Sequence, residues 1–376
     1  MIEREYMARA IRLAGNGIYS THPNPNVGCL VVNRDQVVGS GWHRRAGEPH
    51  AEIHALREAG ERARGADVYV TLEPCSHQGR TPPCADALVA AGVRRVVVAM
   101  KDPNPLVAGQ GLERLRAAGV KVETGLLENQ AQALNPGFVR RMGSGLPWLR
   151  LKLAASVDGR TAMASGESRW ITGAAARQDV QRLRARSSAI VTGIGTVLMD
   201  DPAMNVRLNA SQLHNVEPVR QPLRVVLDSG LRMSPQARML GLPGDTLVLT
   251  VSEDAERQQA LRDAGAEVVA LAAGNERAAP LTVLQELARR EVNEVLLECG
   301  PTLAGAFVTA GLVDELVLYL APHLMGDDAR GLFRLPGLEN MQQRVALQWI
   351  DQRSVGNDLR LVARFSPLGD RTRATE

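Results

Sequence analysis

The pattern of apolar and polar residues predicts a helix, a hairpin and then alternating helices and strands over the first 145 positions. Apolar residues at helical spacing over residues 2–16 indicate an amphipathic helix. Two valine-rich runs, 27–32 and 36–40, flank Asn33-Arg34-Asp35 and predict a β-hairpin. The later elements are helices at 51–56, 85–91, 111–118 and 128–141 and strands at 67–72, 95–100 and 120–124. This alternation predicts an α/β sheet with helices on both faces.

A polar, glycine-containing break, Gly143-Ser144-Gly145-Leu146-Pro147, separates this pattern from a different one. A chain of 376 residues is too long for one ordinary core. We therefore expect two domains, residues 1–145 and 146–367. The second is predicted to contain a helix at 174–186 and strands at 148–154, 189–192, 223–228, 246–250, 267–271, 294–298, 313–320, 346–350 and 359–365.

The first half contains a candidate zinc site. His50 and Glu52 stand two positions apart, and Cys75 follows Pro74 directly at the end of a predicted strand. Together with Cys84 they resemble the signature of zinc deaminases, although eight residues rather than two lie between the cysteines. One imidazole and two thiolates leave a fourth zinc position for water, which is the arrangement of a catalytic site. Zinc makes that water a hydroxide nucleophile near neutral pH, and Glu52 would carry its proton to a leaving amine.

These positions make local predictions. Residues two apart on a helix point to different sides, so His50 and Glu52 must occupy a first turn to share one pocket. Cys84 opens a predicted helix, where the dipole is expected to lower its pKa. His54 is interpreted as a packing residue or a support for the ligands. One alternative is a structural zinc site, in which His54 or His77 would be a fourth ligand. The other is a pair of buried thiols that bind no metal.

Composition narrows the function classes. Apolar residues make up 45% of the chain, and the net charge of +3 suits a phosphorylated small substrate. Aromatic residues, at 3%, are too few for base-stacking surfaces, so neither nucleic acid nor membrane is expected as a partner. Four cysteines do not make a disulfide framework in a chain of this length. The charged start of the chain lacks a signal-peptide core and there is no long apolar run, so a cytoplasmic location is expected.

Several motifs of the first half resemble one family. They are Pro23-Asn24-Pro25-Asn26-Val27-Gly28, His50-Ala51-Glu52, the stretch 71–84 and Asp102-Pro103-Asn104-Pro105. Together they resemble the deaminase half of the bifunctional riboflavin-biosynthesis deaminase-reductases, including the wide spacing of the cysteines. This likeness implies a cytidine-deaminase-like α/β/α sandwich.

Three further residues are candidates for binding the deaminase substrate. Asn24 could read a pyrimidine edge, although a turn residue is an equally good interpretation. His77 is left open between a substrate contact and a support for the ligands. Arg80, with adjacent backbone amides, could hold a sugar phosphate.

Two glycine-rich turns mark the second half. Gly193-x-Gly195 lacks the third glycine of a dinucleotide fingerprint. Gly300–Ala306, at a strand end, is the better phosphate candidate because bare amides at a helix start bind anions. By itself, such a turn is more often a tight connection.

The second half resembles the reductase half of the same family, which is similar in fold to dihydrofolate reductase. The matching stretches are 152–160, 167–172, 195–202 and 298–303. The resemblance implies NADPH, bound by Ala154, Trp170, Thr196, Asp200, Ser229, Gly300, Pro301, Thr302, Leu303, Ala304, Gly305 and Ala306. It implies substrate contacts by Ser168, Arg184, Met204, Arg207 and Glu298.

Some of these residues also have simple structural interpretations. Without the family, Arg184 is a solvated helix arginine and Met204 a core residue. The sequence contains no convincing proton donor for the reductase. Solvent could supply the proton because the hydride chemistry resides in the cofactor, and Lys152 and Asp158 are unranked candidates.

We therefore expect a bifunctional enzyme of riboflavin synthesis. Its first domain would deaminate a diaminohydroxyphosphoribosylaminopyrimidine with one zinc ion per chain. Its second would reduce the ribosyl chain of the resulting aminouracil phosphate to a ribityl chain with NADPH. A homo-oligomer, a dimer or a tetramer, is expected. The rival hypotheses are a nucleic-acid deaminase fused to a binding domain and a non-catalytic zinc protein.

Overall fold

The computed structural model describes residues 2–76, 83–105, 107–271 and 277–365. The chain divides into two compact units, of which one ends at Leu146 and the other begins at Pro147. The short stretch His214–Val216 groups with the first unit. Within the described ranges, no helix combines the length and the apolarity needed to cross a bilayer.

The first unit is a sheet layered between helices. Over its described residues the strands pair in the order β2-β1-β3-β4-β5, with β1 antiparallel to both neighbours and β3, β4 and β5 mutually parallel. The elements are α1 (Ile2–Ala14), β1 (Gly28–Asn33), β2 (Gln36–Trp42), α2 (Ala51–Ala59), β3 (Asp67–Leu72), α3 (Cys84–Ala90), β4 (Arg95–Met100), α4 (Gln110–Ala117), β5 (Lys121–Thr124), α5 (Glu128–Leu134) and α6 (Pro136–Ser144).

Alternate residues of the central strands face opposite sides, as the period of a strand requires. Cys29 and Val31 pack in a core with apolar residues of α2, α3 and α4. Leu30 and Val32 pack in a second core with residues of α1, α5 and α6. The predicted hairpin and the two helical layers are thus confirmed.

Two glycines of β2 let α2 lie directly on the sheet. A Cβ added to Gly39 would lie 2.1 Å from the Ala55 carbonyl oxygen, and one added to Gly41 would lie 2.3 Å from that of Ala51. No side chain fits in that space, so the backbones of helix and strand touch. This contact fixes the beginning of α2, where His50 and Glu52 lie.

The helix predicted over 128–141 is interrupted at Asn135. The Asn135 Oδ1 accepts from the Asn26 backbone N–H at 2.7 Å, and its Nδ2 donates to the Asn26 carbonyl at 2.9 Å. Pro136 then begins a new helix, which suits its fixed φ and missing N–H. That helix runs to Ser144 and ends at Gly145 with φ 71°, so the predicted break at Gly143 and Ser144 is wrong.

The second unit is built on a long, mostly parallel sheet. Over the described residues its strands pair in the order β11-β10-β9-β8-β12-β6-β13-β16-β15, and a small pair, β14-β7, lies apart. The elements are β6 (Trp148–Ser156), β7 (Arg160–Ala162), α7 (Ala174–Arg186), β8 (Ala189–Gly193), α8 (Ile194–Asp200), β9 (Leu223–Leu227), β10 (Thr246–Thr250), α9 (Ala255–Asp263), β11 (Glu267–Ala270), α10 (Pro280–Arg289), β12 (Glu294–Glu298), α11 (Pro301–Thr309), β13 (Glu315–Ala321), β14 (Arg330–Gly331), β15 (Leu347–Val355) and β16 (Asp358–Phe365).

The strands from β11 to β13 are parallel to their neighbours, whereas β16 and β15 are antiparallel. The carboxyl ends of β6, β8, β9 and β12 therefore meet at one edge of the sheet. In open α/β sheets this edge is where ligands bind.

Candidate active sites

In the first unit, three candidate zinc ligands converge although they come from three separate elements. His50 is the residue before α2, Cys75 follows β3, and Cys84 is the first residue of α3. The His50 Nδ1 lies 3.6 Å from the Cys75 Sγ and 3.3 Å from the Cys84 Sγ. All three ligand atoms lie within 4.8 Å of one another. The predicted trio is therefore assembled at one point.

The two thiols share a proton unequally. The Cys84 backbone N–H donates to the Cys75 Sγ at 3.3 Å. Hydrogen bonding from the Cys84 thiol, together with His50, lowers the pKa of Cys75 to about 4. The same hydrogen bond, together with burial, raises the pKa of Cys84. Burial and this hydrogen bond thus oppose the lowering of the Cys84 pKa that its place at a helix start predicts, and they favour the thiolate on Cys75.

Glu52 lies in the first turn of α2, as its spacing from His50 requires. Its side chain is only 3% exposed, and its Oε2 has no hydrogen-bond partner among the described residues. Burial raises the pKa of Glu52 to about 7, against the attraction of His50. A carboxyl group with that pKa can both accept and release a proton near neutrality.

The donor set fits zinc. One imidazole nitrogen and two sulfurs are ligands that zinc prefers, and three protein ligands leave one position open. The orphaned Glu52 Oε2 is a buried acceptor that a water molecule at that position would satisfy. Among the described residues, the group of possible metal ligands does not include His54. Its Nε2 is buried without a hydrogen-bond partner among the described residues, and its role as a packing residue or a support for the ligands stays a prediction.

A second histidine, which the sequence interpretation missed, borders this site. His43 is buried and meets the His50 ring edge-on, with 5.1 Å between the ring centroids. The Asn24 Nδ2 lies 3.0 Å from the His43 Nε2. Burial and the neighbouring His50 lower the pKa of His43 to about 4, so the ring is neutral at pH 7. Asn24 thus contacts a histidine that itself packs against His50, whereas His77 and Arg80 lie outside the described residues.

In the second unit, four of the predicted cofactor residues lie on or directly after strands of the large sheet, towards their carboxyl ends. Ala154 is near the end of β6, Thr196 and Asp200 lie on α8 after β8, and Ser229 follows β9. Trp170 is 71% exposed, and the Arg177 guanidinium lies 4.6 Å from its ring centroid.

The Gly300–Ala306 stretch forms the start of α11. Gly300 is the capping residue, and no side chain caps the first N–H groups of this helix. A Cβ added to Gly300 or Gly195 would meet no described atom within 4 Å, so both backbones are open to a ligand. Bare amides at a helix start suit the phosphates of a dinucleotide. Ala304 and Gly305 are instead buried, and Gly305 touches the Arg334 carbonyl.

Glu298 is the polar centre of the candidate substrate site. The Arg184 Nε donates to one oxygen of its carboxylate at 2.7 Å, and Nη2 donates to the other at 2.9 Å. Burial alone would raise the pKa of Glu298, but Arg184 lowers it to about 2. Lys152 lies opposite Glu298 in the β6–β12 register, and burial lowers its pKa. The interpretation of Arg184 as a solvated helix arginine is wrong, because its guanidinium is occupied by Glu298.

The segment 204–207 lies against α7. The Arg184 Nη1 donates to the Asn205 carbonyl at 3.2 Å, and the Arg207 N–H donates to the Gln181 Oε1 at 2.9 Å. Met204 is 2% exposed and has φ 44°, so its side chain belongs to the core and only its backbone can face a substrate. The alternative that Met204 is a core residue is confirmed. Ser168 is half-buried in the loop before Trp170.

The Asp158 carboxylate is held by hydrogen bonds from one hydroxyl and two backbone N–H groups. It accepts from the Ser156 hydroxyl and from the backbone N–H groups of Met325 at 3.0 Å and Gly326 at 2.9 Å. These hydrogen bonds, led by that of Ser156, lower the pKa of Asp158 to about 2. Asp158 is therefore ionised at neutral pH, which argues against it as a proton donor and leaves Lys152 and solvent as candidates.

Two family models match the chain. The RibD C-terminal domain matches residues 147–361, and the cytidine and deoxycytidylate deaminase zinc-binding region matches residues 1–100. Among characterised relatives, the riboflavin biosynthesis protein RibD of Escherichia coli (strain K12) is 52% identical over 366 residues, covering 96% of this chain and 98% of the relative. RibD of Haemophilus influenzae is 45% identical over 369 residues, covering 97% of both chains.

Solved structures give the same result. RibD of Acinetobacter baumannii superposes with a TM-score of 0.90 at 48% identity, covering 97% of this chain and 99% of the other. A diaminohydroxyphosphoribosylaminopyrimidine deaminase/5-amino-6-(5-phosphoribosylamino)uracil reductase of Thermotoga maritima superposes with a TM-score of 0.85 at 31% identity, with the same coverage.

Proposed function

The chain belongs to the RibD family of riboflavin-biosynthesis deaminase-reductases, and from that membership we propose how its own residues divide the two reactions. It is a bifunctional enzyme with a zinc-binding deaminase domain and an NADPH-dependent reductase domain. Its substrates are small phosphorylated pyrimidines. The predicted family and both predicted fold types are confirmed.

For the deaminase, His50, Cys75 and Cys84 would hold the zinc ion. When bound, zinc supplies the Lewis acidity that makes water a nucleophile near neutral pH. Glu52 takes a proton from the attacking water and delivers it to the ring nitrogen and then to the departing amine. Water oxygen thereby replaces the amino group as a carbonyl, and ammonia leaves. Asn24, held against the neutral His43, orients the pyrimidine edge.

For the reductase, the first turn of α11 and the loops after β8 and β9 would hold NADPH. When bound, NADPH supplies the hydride. Ala154, Trp170, Thr196, Asp200 and Ser229 line its site. The Arg184–Glu298 pair orients the substrate, with Arg207 near its phosphate, and Lys152 supplies the proton that accompanies the hydride. The ribosyl chain thus gains two hydrogens and becomes a ribityl chain.

The observation that carries the deaminase assignment is the meeting of an imidazole and two sulfurs near the buried Glu52, whose Oε2 has no hydrogen-bond partner among the described residues. An assay of each half-reaction in the full chain tests the division of labour. Glu52→Gln is expected to retain zinc and reductase activity while losing deamination. Glu298→Gln is expected to show the reverse loss. A variant that lost both activities together while remaining folded would contradict two independent sites.

We further propose that the domains span residues 1–145 and 146–367, that the protein is cytoplasmic, and that it forms a homo-oligomer. The break between units at Leu146 and Pro147 supports the first of these. Size measurement in solution tests the oligomer.

A further inference from the structure

Eight residues separate Cys75 from Cys84, yet both thiols must lie close enough to bind one zinc ion. One side chain, Arg114 of α4, contacts the chain next to each of the two cysteines. Its Nη1 donates to the Ser76 carbonyl at 2.9 Å, directly after Cys75. Its Nη2 donates to the Asp86 carboxylate at 2.7 Å, and its Nε also pairs with that carboxylate. Asp86 is two residues beyond Cys84, so one guanidinium bridges the flanks of both thiols.

The helix that carries Arg114 is itself tied to the strand end before Cys75. The Glu73 carboxylate accepts from the backbone N–H groups of Gly109 and Gly111, each at 2.9 Å. A Cβ added to Gly111 would lie 2.0 Å from the Pro74 carbonyl oxygen, so the helix start touches the chain next to Cys75. Because α4 is anchored there, Arg114 projects from a fixed support.

The contact between Arg114 and Asp86 is partly exposed to solvent, which argues against a main role in folding stability. The side chain of Arg114 is 48% exposed and that of Asp86 is 41% exposed. Ion pairs this exposed contribute little to folding stability because solvent screens them. The planar guanidinium, held by two bonds to one carboxylate, still fixes the orientation of the two side chains. A lysine ammonium cannot reproduce this two-bonded geometry.

The geometry points to Arg114 as a positioning residue that holds Cys75 and Cys84 ready to bind zinc. This inference rests on the proposed zinc site. Groups that support metal ligands typically change metal affinity by about 10-fold to 100-fold when removed. Since Arg114 acts through the flanking chain, we expect an effect at the lower end, about tenfold.

The test is zinc affinity of the full-length chain, measured by competition with a chromophoric chelator. Arg114→Gln is expected to raise the zinc Kd about tenfold, and Arg114→Lys to restore part of the affinity. Asp86→Asn removes the same bridge from the other side and is expected to weaken zinc binding in the same direction. Arg116→Gln, an exposed arginine on the same helix, is the matched control and is expected to leave the Kd unchanged.

Two further readouts separate positioning from folding. The absorption bands of Co²⁺ bound in place of zinc report the geometry of the thiolates. They are expected to shift in Arg114→Gln and Asp86→Asn, and to stay in place in Arg116→Gln. The melting temperature of the metal-free chain is expected to stay the same in all four variants. An unchanged Kd and spectrum in Arg114→Gln would overturn the inference while the unsubstituted chain still bound zinc. An unsubstituted chain that bound no zinc would overturn the proposed site as well.

Discussion

Arg184 and Glu298 form a two-bonded ion pair across 114 positions of sequence, with N–O distances of 2.7 and 2.9 Å. Their side chains are only 12% and 16% exposed. Removing one partner leaves a buried charge without compensation, which typically costs about 3–5 kcal/mol. We expect Arg184→Gln to destabilise the chain on this scale in denaturant unfolding. Arg182→Gln, an exposed arginine on the same helix, is expected to change stability by less than about 0.5 kcal/mol.

The double variant Arg184→Gln with Glu298→Gln tests the pair itself. Two neutral side chains leave no unpaired charge, so the double variant is expected to lose less stability than the sum of the single losses. Additive losses would show that the two residues act separately.

The same pair predicts a dependence of stability on pH. The pKa of Glu298 falls from its usual value of 4.5 to about 2 in the folded chain. A lowered folded pKa stabilises the fold above about pH 4.5, and this contribution fades as the pH falls towards 2. The stability difference between the unsubstituted chain and Glu298→Gln is therefore expected to narrow from pH 5 to pH 2. A difference that stayed constant over that range would refute the assignment.

The close contact between α2 and β2 predicts that Gly41→Ala, which adds one methyl group, lowers both stability and deaminase activity. In Gly41→Ala the added Cβ would press on the Ala51 carbonyl, beside both His50 and Glu52. Overpacking of this kind typically costs about 1–3 kcal/mol, and a backbone neighbour cannot give way easily. We expect lower stability together with loss of deaminase activity, measured against retained reductase activity. Gly143→Ala, where no described atom lies within 4 Å of the new Cβ, is the control and is expected to be neutral.

The two candidate proton donors of the reductase are separable by experiment. Asp158 is held ionised by Ser156 and two backbone N–H groups, whereas Lys152 lies beside Glu298. Lys152→Gln is expected to slow reduction by about 10²-fold or more, the usual range for a lost acid catalyst, with NADP⁺ binding unchanged. Asp158→Asn is expected to leave the pH profile of reduction in place. If the pH profile shifted in Asp158→Asn and not in Lys152→Gln, Asp158 rather than Lys152 would be the proton donor.

The sequence patterns predicted the parts of this molecule that depend on local order. The continuous apolar run Cys29–Val32 marks β1 as a strand that is buried on both faces. The spacing of His50 and Glu52 requires the helix start at which they lie. The resemblance to the zinc-deaminase signature, with Pro74 directly before Cys75, selects Cys75 and Cys84 from the four cysteines of the chain.

Other features depend on which strands become neighbours, and local patterns do not contain that information. His43 is a lone histidine after β2 without ligand spacing, and only the folded hairpin brings it to His50. Arg184 looked solvated because its partner lies on a strand far along the chain. The helix α9 was missed because Leu261 is its one buried residue, which gives almost no amphipathic signal. The interruption at Asn135 arises from its pairing with Asn26, again a distant contact.

The central claim is a zinc ion held by three protein ligands, with one position left for water beside Glu52. X-ray absorption at the zinc edge of the purified full-length chain measures this most directly. We predict one zinc per chain with two sulfurs at about 2.3 Å and two nitrogen or oxygen neighbours at about 2.0–2.1 Å. Glu52→Gln should leave that spectrum unchanged while deamination is lost. A spectrum with three or more sulfurs, or a chain that holds no stoichiometric zinc, would contradict the account.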